Sequence, residues 1–241
     1  MVEFIGPNVV NVMASASFDF IVIDCEHGNQ NPRDVEIMIE AGWQAGICTI
    51  VRPPDTSRGM ITRTLDAGAA GVLVPFIETM DQVRQVVNAT KYLPIGRRGS
   101  HFSRGHTRHE RVDPTTFIAE ANLDLLTLIQ IELAGAVKIV DQIAATEGVD
   151  GLYIGPGDLG LELGVPGQWD APMLRDAIRT TAAACMRHGK IMGCHIRDID
   201  ETPALAAMGV QMFGIQHDIG MYKEIVSSKS KGFRKTLGLT K

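Results

Sequence analysis

The stretch 125–158 constrains the fold of this chain more than any other. It holds two apolar runs of strand character, LLTLIQIE at 125–132 and GLYI at 151–154. Between them lies a short amphipathic segment, 136–145, whose apolar positions Val137, Ile139, Val140 and Ile143 fall at helical spacing. Strand, helix and strand at this length make a βαβ unit, so the two strands are expected to be parallel neighbours. Each run leads into a carboxylate: Glu132 ends the first, and Asp158 follows the second in Gly155-Pro156-Gly157-Asp158. Neighbouring strands lie ~4.8 Å apart, so both acids can reach one point beyond the strand ends. Gln130 shares the face of Glu132, because side chains alternate along a strand.

The same alternation runs along all 241 residues. Strands are predicted at 2–5, 20–24, 47–51, 71–74, 125–131, 151–154, 191–195 and 212–216, and helices at 9–16, 33–41, 58–67, 80–91, 114–122, 136–145, 172–188 and 201–208. A last helix starts near Tyr222 and forms a C-terminal tail, 222–241. Glycines at 42, 68, 189 and 209 stand where helices end. Eight strands with intervening helices fit a single α/β domain over 1–241, a (β/α)8 barrel. A doubly wound sheet is the alternative, but no Gly-x-Gly-x-x-Gly follows the first strand.

A barrel carries its chemistry at the C-terminal ends of its strands. Those ends are polar here: Asp24-Cys25-Glu26-His27, Arg52, Gln130 with Glu132, Gly157-Asp158, His195 with Arg197, and Gln216-His217-Asp218. Glu132 and Asp158 can hold a divalent metal such as Mg²⁺ or Mn²⁺, which keeps positions open for substrate; the alternative is solvated loop acids or partners of Arg52. Asp24 and His27 can form a proton-transfer unit near neutral pH, or His27 can simply cap a helix. Arg52 closes an apolar strand, where a guanidinium needs an anion: a substrate oxygen, or Asp24, Glu26 or Asp158. The glycine-rich turn at 155–159 offers backbone N–H groups to a carboxylate or phosphate. The longest irregular stretch, 94–111, has five arginines and three histidines; a loop of this length is a lid, an anion-recruiting surface or a solvated connection.

Composition narrows the partners. A net charge of −5 argues against nucleic acid. No apolar run approaches the ~20 residues of a membrane span, and the first residues lack the pattern of a signal peptide. The four cysteines, Cys25, Cys48, Cys185 and Cys194, have no Cys-x-x-Cys spacing, which indicates neither a zinc cage nor a disulfide framework. A cytoplasmic protein with reduced thiols is the expectation.

Asp24-x-Glu26-His27, Val51-Arg52-Pro53, Gln130-Ile131-Glu132 and Gly155-Pro156-Gly157-Asp158-Leu159 together resemble the HpcH/HpaI family of metal-dependent class II aldolases. Those proteins are TIM barrels of the phosphoenolpyruvate/pyruvate superfamily, and the similarity covers about 18–222. The resemblance implies retro-aldol cleavage of a 4-hydroxy-2-oxo acid, of the heptanedioate or 3-deoxy-sugar-acid kind, to pyruvate and an aldehyde. It implies Glu132 and Asp158 as ligands of Mg²⁺, Mn²⁺ or Co²⁺, with Gln130 supporting them. Gly157 and Asp158 amides would bind the substrate carboxylate and Arg52 the enolate oxygen, while His27 with Asp24 would move protons. It further implies a hexamer of dimers that exchange a C-terminal helix.

Three departures from the family pattern carry expectations of their own. The start is shorter, so the first strand is expected to be incomplete. The Arg98-Gly99 core of the 94–111 loop is followed by changed residues. His195 and His217 stand where relatives carry apolar side chains, in the region of the aldehyde, which points to a polar or anionic acceptor and makes His195 a substrate-binding candidate. No lysine occupies a strand end, which weighs against Schiff-base chemistry. The alternatives are a CoA-thioester lyase of the citrate lyase β-subunit kind, with the arginine-rich loop as its nucleotide surface, and a silent barrel used as a binding subunit.

Overall fold

A computed structural model describes residues 1–239. The elements are α1 (Pro7–Ser15), β1 (Phe20–Asp24), α2 (Pro32–Ala45), β2 (Cys48–Arg52), α3 (Arg58–Asp66), β3 (Gly71–Val74), α4 (Met80–Thr90), α5 (Pro114–Asp124) and β4 (Leu126–Ile131). They continue with α6 (Ala134–Lys138), α7 (Val140–Ala145), β5 (Gly151–Ile154), α8 (Pro156–Glu162), α9 (Pro172–His188), β6 (Ile191–Ile196), α10 (Thr202–Ala207), β7 (Met212–Ile215) and α11 (Asp218–Thr236). All seven strands are parallel and neighbour one another in chain order, as a series of βα units requires. No helix of the described residues is long and apolar enough to cross a membrane.

The expectation of an eighth strand at 2–5 is corrected: Val2 makes a single parallel bridge to Ile23. The backbone N–H groups of Glu3 and Phe4 turn aside to the Asp218 carboxylate, at 2.9–3.1 Å. Gly6, at φ 114°, and Pro7 then start α1. The short segment still joins the two sides of the curled sheet, since Val2 N donates to Val22 O and Asp218 N donates to Met1 O. Two further readings change. The helix expected over 136–145 breaks at Ile139, which has φ −110° and ψ 12°, into α6 and α7. The turn read at 155–158 opens helix α8, with Asp158 in its first turn.

Alternation along the strands sorts residues into two cores. Phe20, Val22, Cys48, Ile50, Leu73, Leu126, Leu128, Tyr153 and Met212 pack together on the concave face. Residues of the opposite parity, such as Ile23, Val51, Val72, Ile129 and Ile154, pack outward against the helices. Tyr153 fills the concave side because Gly193 and Gly214 face it: a Cβ would stand 2.3 Å from its ring at Gly193 and 1.9 Å from its hydroxyl at Gly214. Continuing the concave parity beyond this apolar layer reaches Asp24, Arg52, Gln130 and His195, in step with the strand register. That layer is where the fold turns from apolar to ionic.

The 94–111 loop braces the outside of the sheet's helical layer. Arg98 is buried against Asp66 at the end of α3, at 2.7 Å, Arg108 lies 4.1 Å over the Trp43 ring, and Gly105 packs on the Ala67 backbone. Asp66 and Ala67 precede β3, so these contacts lie toward the N-terminal ends of the strands, away from the ionic layer. Lys91, the buried lysine of the described residues, is held there too, by Asp150 at 2.8 Å and the Asn122 carbonyl at 3.0 Å.

Candidate active site

The first half of the site is built on β1 and β2. Asp24 and Arg52 are register partners at the ends of these strands, both buried. Arg52 Nε donates to Asp24 Oδ1 at 2.9 Å and Nη2 to Oδ2 at 2.6 Å, a bidentate fork. Nη1 lies 2.9 Å from Glu26 Oε2, a charge contact at an angle too poor for a hydrogen bond, since that oxygen lacks a hydrogen-bond partner. Burial alone pushes Asp24 up, but the guanidinium and the amides of Glu26 and His27 outweigh it and hold the carboxyl below its ordinary range. His27 meets Asp24 only through its backbone N–H, at 3.4 Å. Its imidazole is 57% exposed, 4.0 Å from Glu26. The expected Asp24–His27 side-chain pair is therefore not formed, because Arg52 occupies the Asp24 carboxylate.

The second half is built on β4 and β5. Glu132, just past β4, is fully buried. Its Oε1 accepts from Phe76 N at 2.7 Å, and its Oε2 accepts from the Gln130 amide. Phe76 holds a left-handed φ of 53° to present that N–H, the kind of backbone strain that collects at functional sites. Gly155 makes room for the acid: a Cβ there would stand 3.1 Å from both Glu132 Oε2 and Gln130 Nε2. Asp158 is half-buried and close enough for its charge to push Glu132 up, although burial is the larger cause. The space above Gly157 is open, and the first-turn amides of a helix have no intrahelical acceptor.

Glu26 joins the halves. Burial, and then the Glu132 carboxylate, push it up to about 7 against the pull of Arg52. Gln130 Oε1 is buried without a partner beside Glu132. Crowded acids, an orphaned amide oxygen and a glycine-lined gap give a set of hard oxygen donors short of positive charge, and a divalent cation suits it. The sequence did not single out Glu26 for this role, nor Phe76, whose contribution is a backbone N–H that leaves no mark in side-chain chemistry.

The Glu26 shift has a measurable consequence in metal-free protein. The folded chain keeps this proton to about pH 7, whereas an unfolded chain releases it near 4.5. The group's contribution to stability is thus full below pH 4.5 and lost as pH rises through 7, by at most about 3 kcal/mol. Glu26→Gln cannot titrate, so in EDTA its Tm should gain on the wild type between pH 5 and 8. A difference that stays constant with pH would mean that Glu26 is not crowded by the other acids.

A third group lies beside the first. His195 ends the concave row of β6, and its ring centroid is 5.3 Å from that of His217. His217 Nδ1 is 2.9 Å from Glu3 Oε1. Burial drives His195 down to about 3 and is the main cause of the lowering at His217. Both line an open cavity of about 420 Å³ with Glu3, Trp169 and Arg197. The thiols take no part: burial pushes Cys25 and Cys185 to about 11 and Cys194 to about 12.

Acids, a buried arginine and imidazoles gathered at the C-terminal ends of a curled parallel sheet are the layout of an α/β enzyme. The profile of the HpcH/HpaI aldolase/citrate lyase family matches residues 4–223, and the chain belongs to that family. A 2-keto-3-deoxy-L-rhamnonate aldolase of Salmonella paratyphi B is 31% identical over 227 residues, 94% of this chain and 84% of the relative. Among solved structures, an HpcH/HpaI aldolase from Desulfitobacterium hafniense superposes with a TM-score of 0.90 at 29% identity, covering 95% of this chain and 88% of the other. The citrate synthase SbnG gives 0.88 at 28%, covering 98% and 92%.

Proposed function

We propose that this protein is a divalent-metal-dependent aldolase that cleaves a 4-hydroxy-2-oxo acid to pyruvate and an aldehyde, on a single domain of the (β/α)8 phosphoenolpyruvate/pyruvate type whose first strand is reduced to the Val2–Ile23 bridge. The observation that carries the reading is the buried Glu132 set against Asp158, Gln130 and Gly155 and facing the Asp24–Arg52 fork. Glu132 and Asp158 would hold Mg²⁺, Mn²⁺ or Co²⁺, which when bound supplies Lewis-acid polarisation of the keto oxygen. Gln130 and Phe76 N hold Glu132 in place. The amides of Gly157 and Asp158 grip the substrate carboxylate. Arg52, fixed by Asp24, donates to the oxygen that gains charge as the enolate forms, a group oriented before the reaction begins. His27, exposed beside Glu26, exchanges the proton at C3.

The test needs no knowledge of the aldehyde. Protein stripped with EDTA and then given Mg²⁺ or Mn²⁺ should exchange the C3 hydrogens of pyruvate for deuterium in D₂O, followed by proton NMR. No exchange with any divalent metal would discard the aldolase reading. The CoA-thioester alternative is weakened by the 94–111 loop, whose Arg98 and Arg108 are spent on Asp66 and Trp43.

Two further parts of the reading concern setting. α11 exposes Ile219, Tyr222, Ile225, Val226 and Phe233, which supports a homo-oligomer, a hexamer in the family manner, using the 222–241 tail. Residues 240–241 of that tail lie outside the described residues. Light scattering should return about six times 26.1 kDa; a monomer at all concentrations would discard the assembly. Four free cysteines support a reducing, cytoplasmic location.

A further inference from the structure

β1 and β7 are the two edges of the sheet, and no full strand lies between them among the described residues. The segment 1–5 spans this seam unevenly. Toward β1 it forms a short ladder, Val2 N donating to Val22 O at 2.8 Å and Asp24 N to Val2 O at 3.0 Å. Toward β7 its hydrogen bonds fall past the end of the strand: the Met1 ammonium donates to Gln216 O at 3.1 Å, and Asp218 holds the amides of Glu3 and Phe4. Three side chains meet here, one from each part of the seam. Glu3 comes from the segment, Asp24 from the end of β1 and His217 from the turn between β7 and α11, and an oxygen of each acid and a ring nitrogen of the histidine lie within 4.8 Å of one another.

The donors suit a small cation. Metal–ligand distances of ~2.0–2.2 Å place the donors around a tetrahedral Zn²⁺ ~3.4 Å apart. His217 Nδ1 is already 2.9 Å from Glu3 Oε1, and both side chains are half-buried, so rotation can bring them and Asp24 to that spacing. The cavity lined by Glu3 and His217 leaves a further position open to water. Asp24 is held by Arg52, but not on every lone pair. Its Oδ1 accepts from Arg52 Nε and from the amides of Glu26 and His27, whereas Oδ2 accepts from Nη2 and has a second lone pair left. Carboxylates that ligate a metal are hydrogen-bonded in turn by neighbours of this kind. The charges that face one another here are the carboxylates of Glu3, Asp24 and Asp218 and the cations of Arg52 and Met1. With the imidazoles neutral, one negative charge is left over. Arg197, which also lines the cavity, is exposed over Trp169 and acts on Asp170.

We propose that Glu3, Asp24 and His217 form a second divalent-metal site, separate from Glu132 and Asp158, which takes a transition ion such as Zn²⁺ and staples the segment 1–5 and the β7–α11 turn to β1. The ion replaces the proton shared between His217 Nδ1 and Glu3 Oε1, and the ring keeps its hydrogen on Nε2. The two sites select differently. Glu132 and Asp158 offer oxygen donors, which suit Mg²⁺, whereas an imidazole nitrogen draws Zn²⁺, Co²⁺ or Ni²⁺. An ion bound by the folded chain and not by the unfolded one stabilises the fold, and here it does so at the seam that the shortened first strand leaves weak.

Co²⁺ is the probe, because it takes the place of zinc and shifts the N–H proton of a coordinated imidazole far outside the ordinary range of a proton spectrum. In Glu132→Gln, which silences the acid pair, calorimetry should find one equivalent of Co²⁺ and NMR one shifted imidazole N–H. Adding His217→Ala or Glu3→Gln should weaken binding about 100-fold or more, since even the partners of metal ligands are worth about 10–100-fold in affinity. His217→Ala should also erase the shifted signal, and His27→Asn should leave signal and affinity unchanged. Zn²⁺ at about 100 times its Kd should raise the Tm of Glu132→Gln by about 5–10 °C, and millimolar Mg²⁺ should not. A shifted N–H that survives His217→Ala, no shifted N–H at any Co²⁺ concentration, or binding without a gain in Tm overturns the proposal. The wild type separates this site from the aldolase reading. Two equivalents there support both sites, whereas one equivalent that keeps the shifted signal leaves this site standing and deprives the acid pair of its metal.

Discussion

Glu132→Gln should abolish pyruvate exchange while leaving the fold intact. A Lewis acid on the keto oxygen is worth several kcal/mol of transition-state stabilisation, and at about 1.4 kcal/mol per decade its loss lowers the rate by at least about a thousandfold. The fold should survive because Glu132 is already pushed up by burial and by Asp158, so a neutral amide relieves a crowded carboxylate. Phe76 N can still donate to the new amide oxygen. Gln130, whose Oε1 has no partner, can turn its amide and accept the new N–H. Three measurements check this: NMR exchange, calorimetric titration with Mn²⁺, and the Tm in EDTA. Exchange within tenfold of the wild type would mean that Glu132 is not a ligand, whatever the titration shows.

The fold was legible where the chain obeys a local rule. Apolar runs alternating with helical segments located β1 to β7, because parallel strands packed on both faces are apolar at nearly every position. The strand expected at 2–5 has the same apolar look, but its amides are taken by Asp218, about 215 residues distant in sequence, and no local pattern announces such a partner. The helix over 136–145 breaks at Ile139 for a reason equally invisible in the spacing of its apolar residues.

The candidate site was legible as a set of residues and less so as a set of contacts. Strand ends named Asp24, Arg52, Gln130, Glu132, Asp158 and His195, and the structure gathers Asp24 with Arg52 and Gln130 with Glu132. Competition decided the rest. Arg52 could have paired with any of three acids by sequence; register puts it beside Asp24, which strips His27 of the partner its motif suggested. Glu3 was out of view, since its histidine lies at the other end of the chain. Two of the five arginines in the 94–111 loop are structural, a role that charge alone does not announce.

Arg52→Leu should be the most damaging single change, and its damage should have two separable parts. Asp24 has no exposure and depends on Arg52 for its low pKa. Removing one partner of a buried pair leaves an uncompensated charge and costs about 3–5 kcal/mol. With the guanidinium gone, burial dominates and raises the Asp24 carboxyl above its unfolded value. The variant's stability is then fullest below the unfolded pKa and is lost as pH rises through the new folded one, the reverse of the wild-type trend for this group. Lowering the pH from 8 towards 5 should therefore narrow the Tm gap to the wild type. Adding Asp24→Asn removes the stranded charge, so the double variant should recover most of the lost stability. It should not recover pyruvate exchange, because the donor to the enolate oxygen is still missing, an interaction of the kind worth 10²–10³ in rate. Recovery of both together would reduce Arg52 to a structural counter-ion for Asp24, while recovery of neither would mean that the Glu26 contact carries more of the fold than the Asp24 fork.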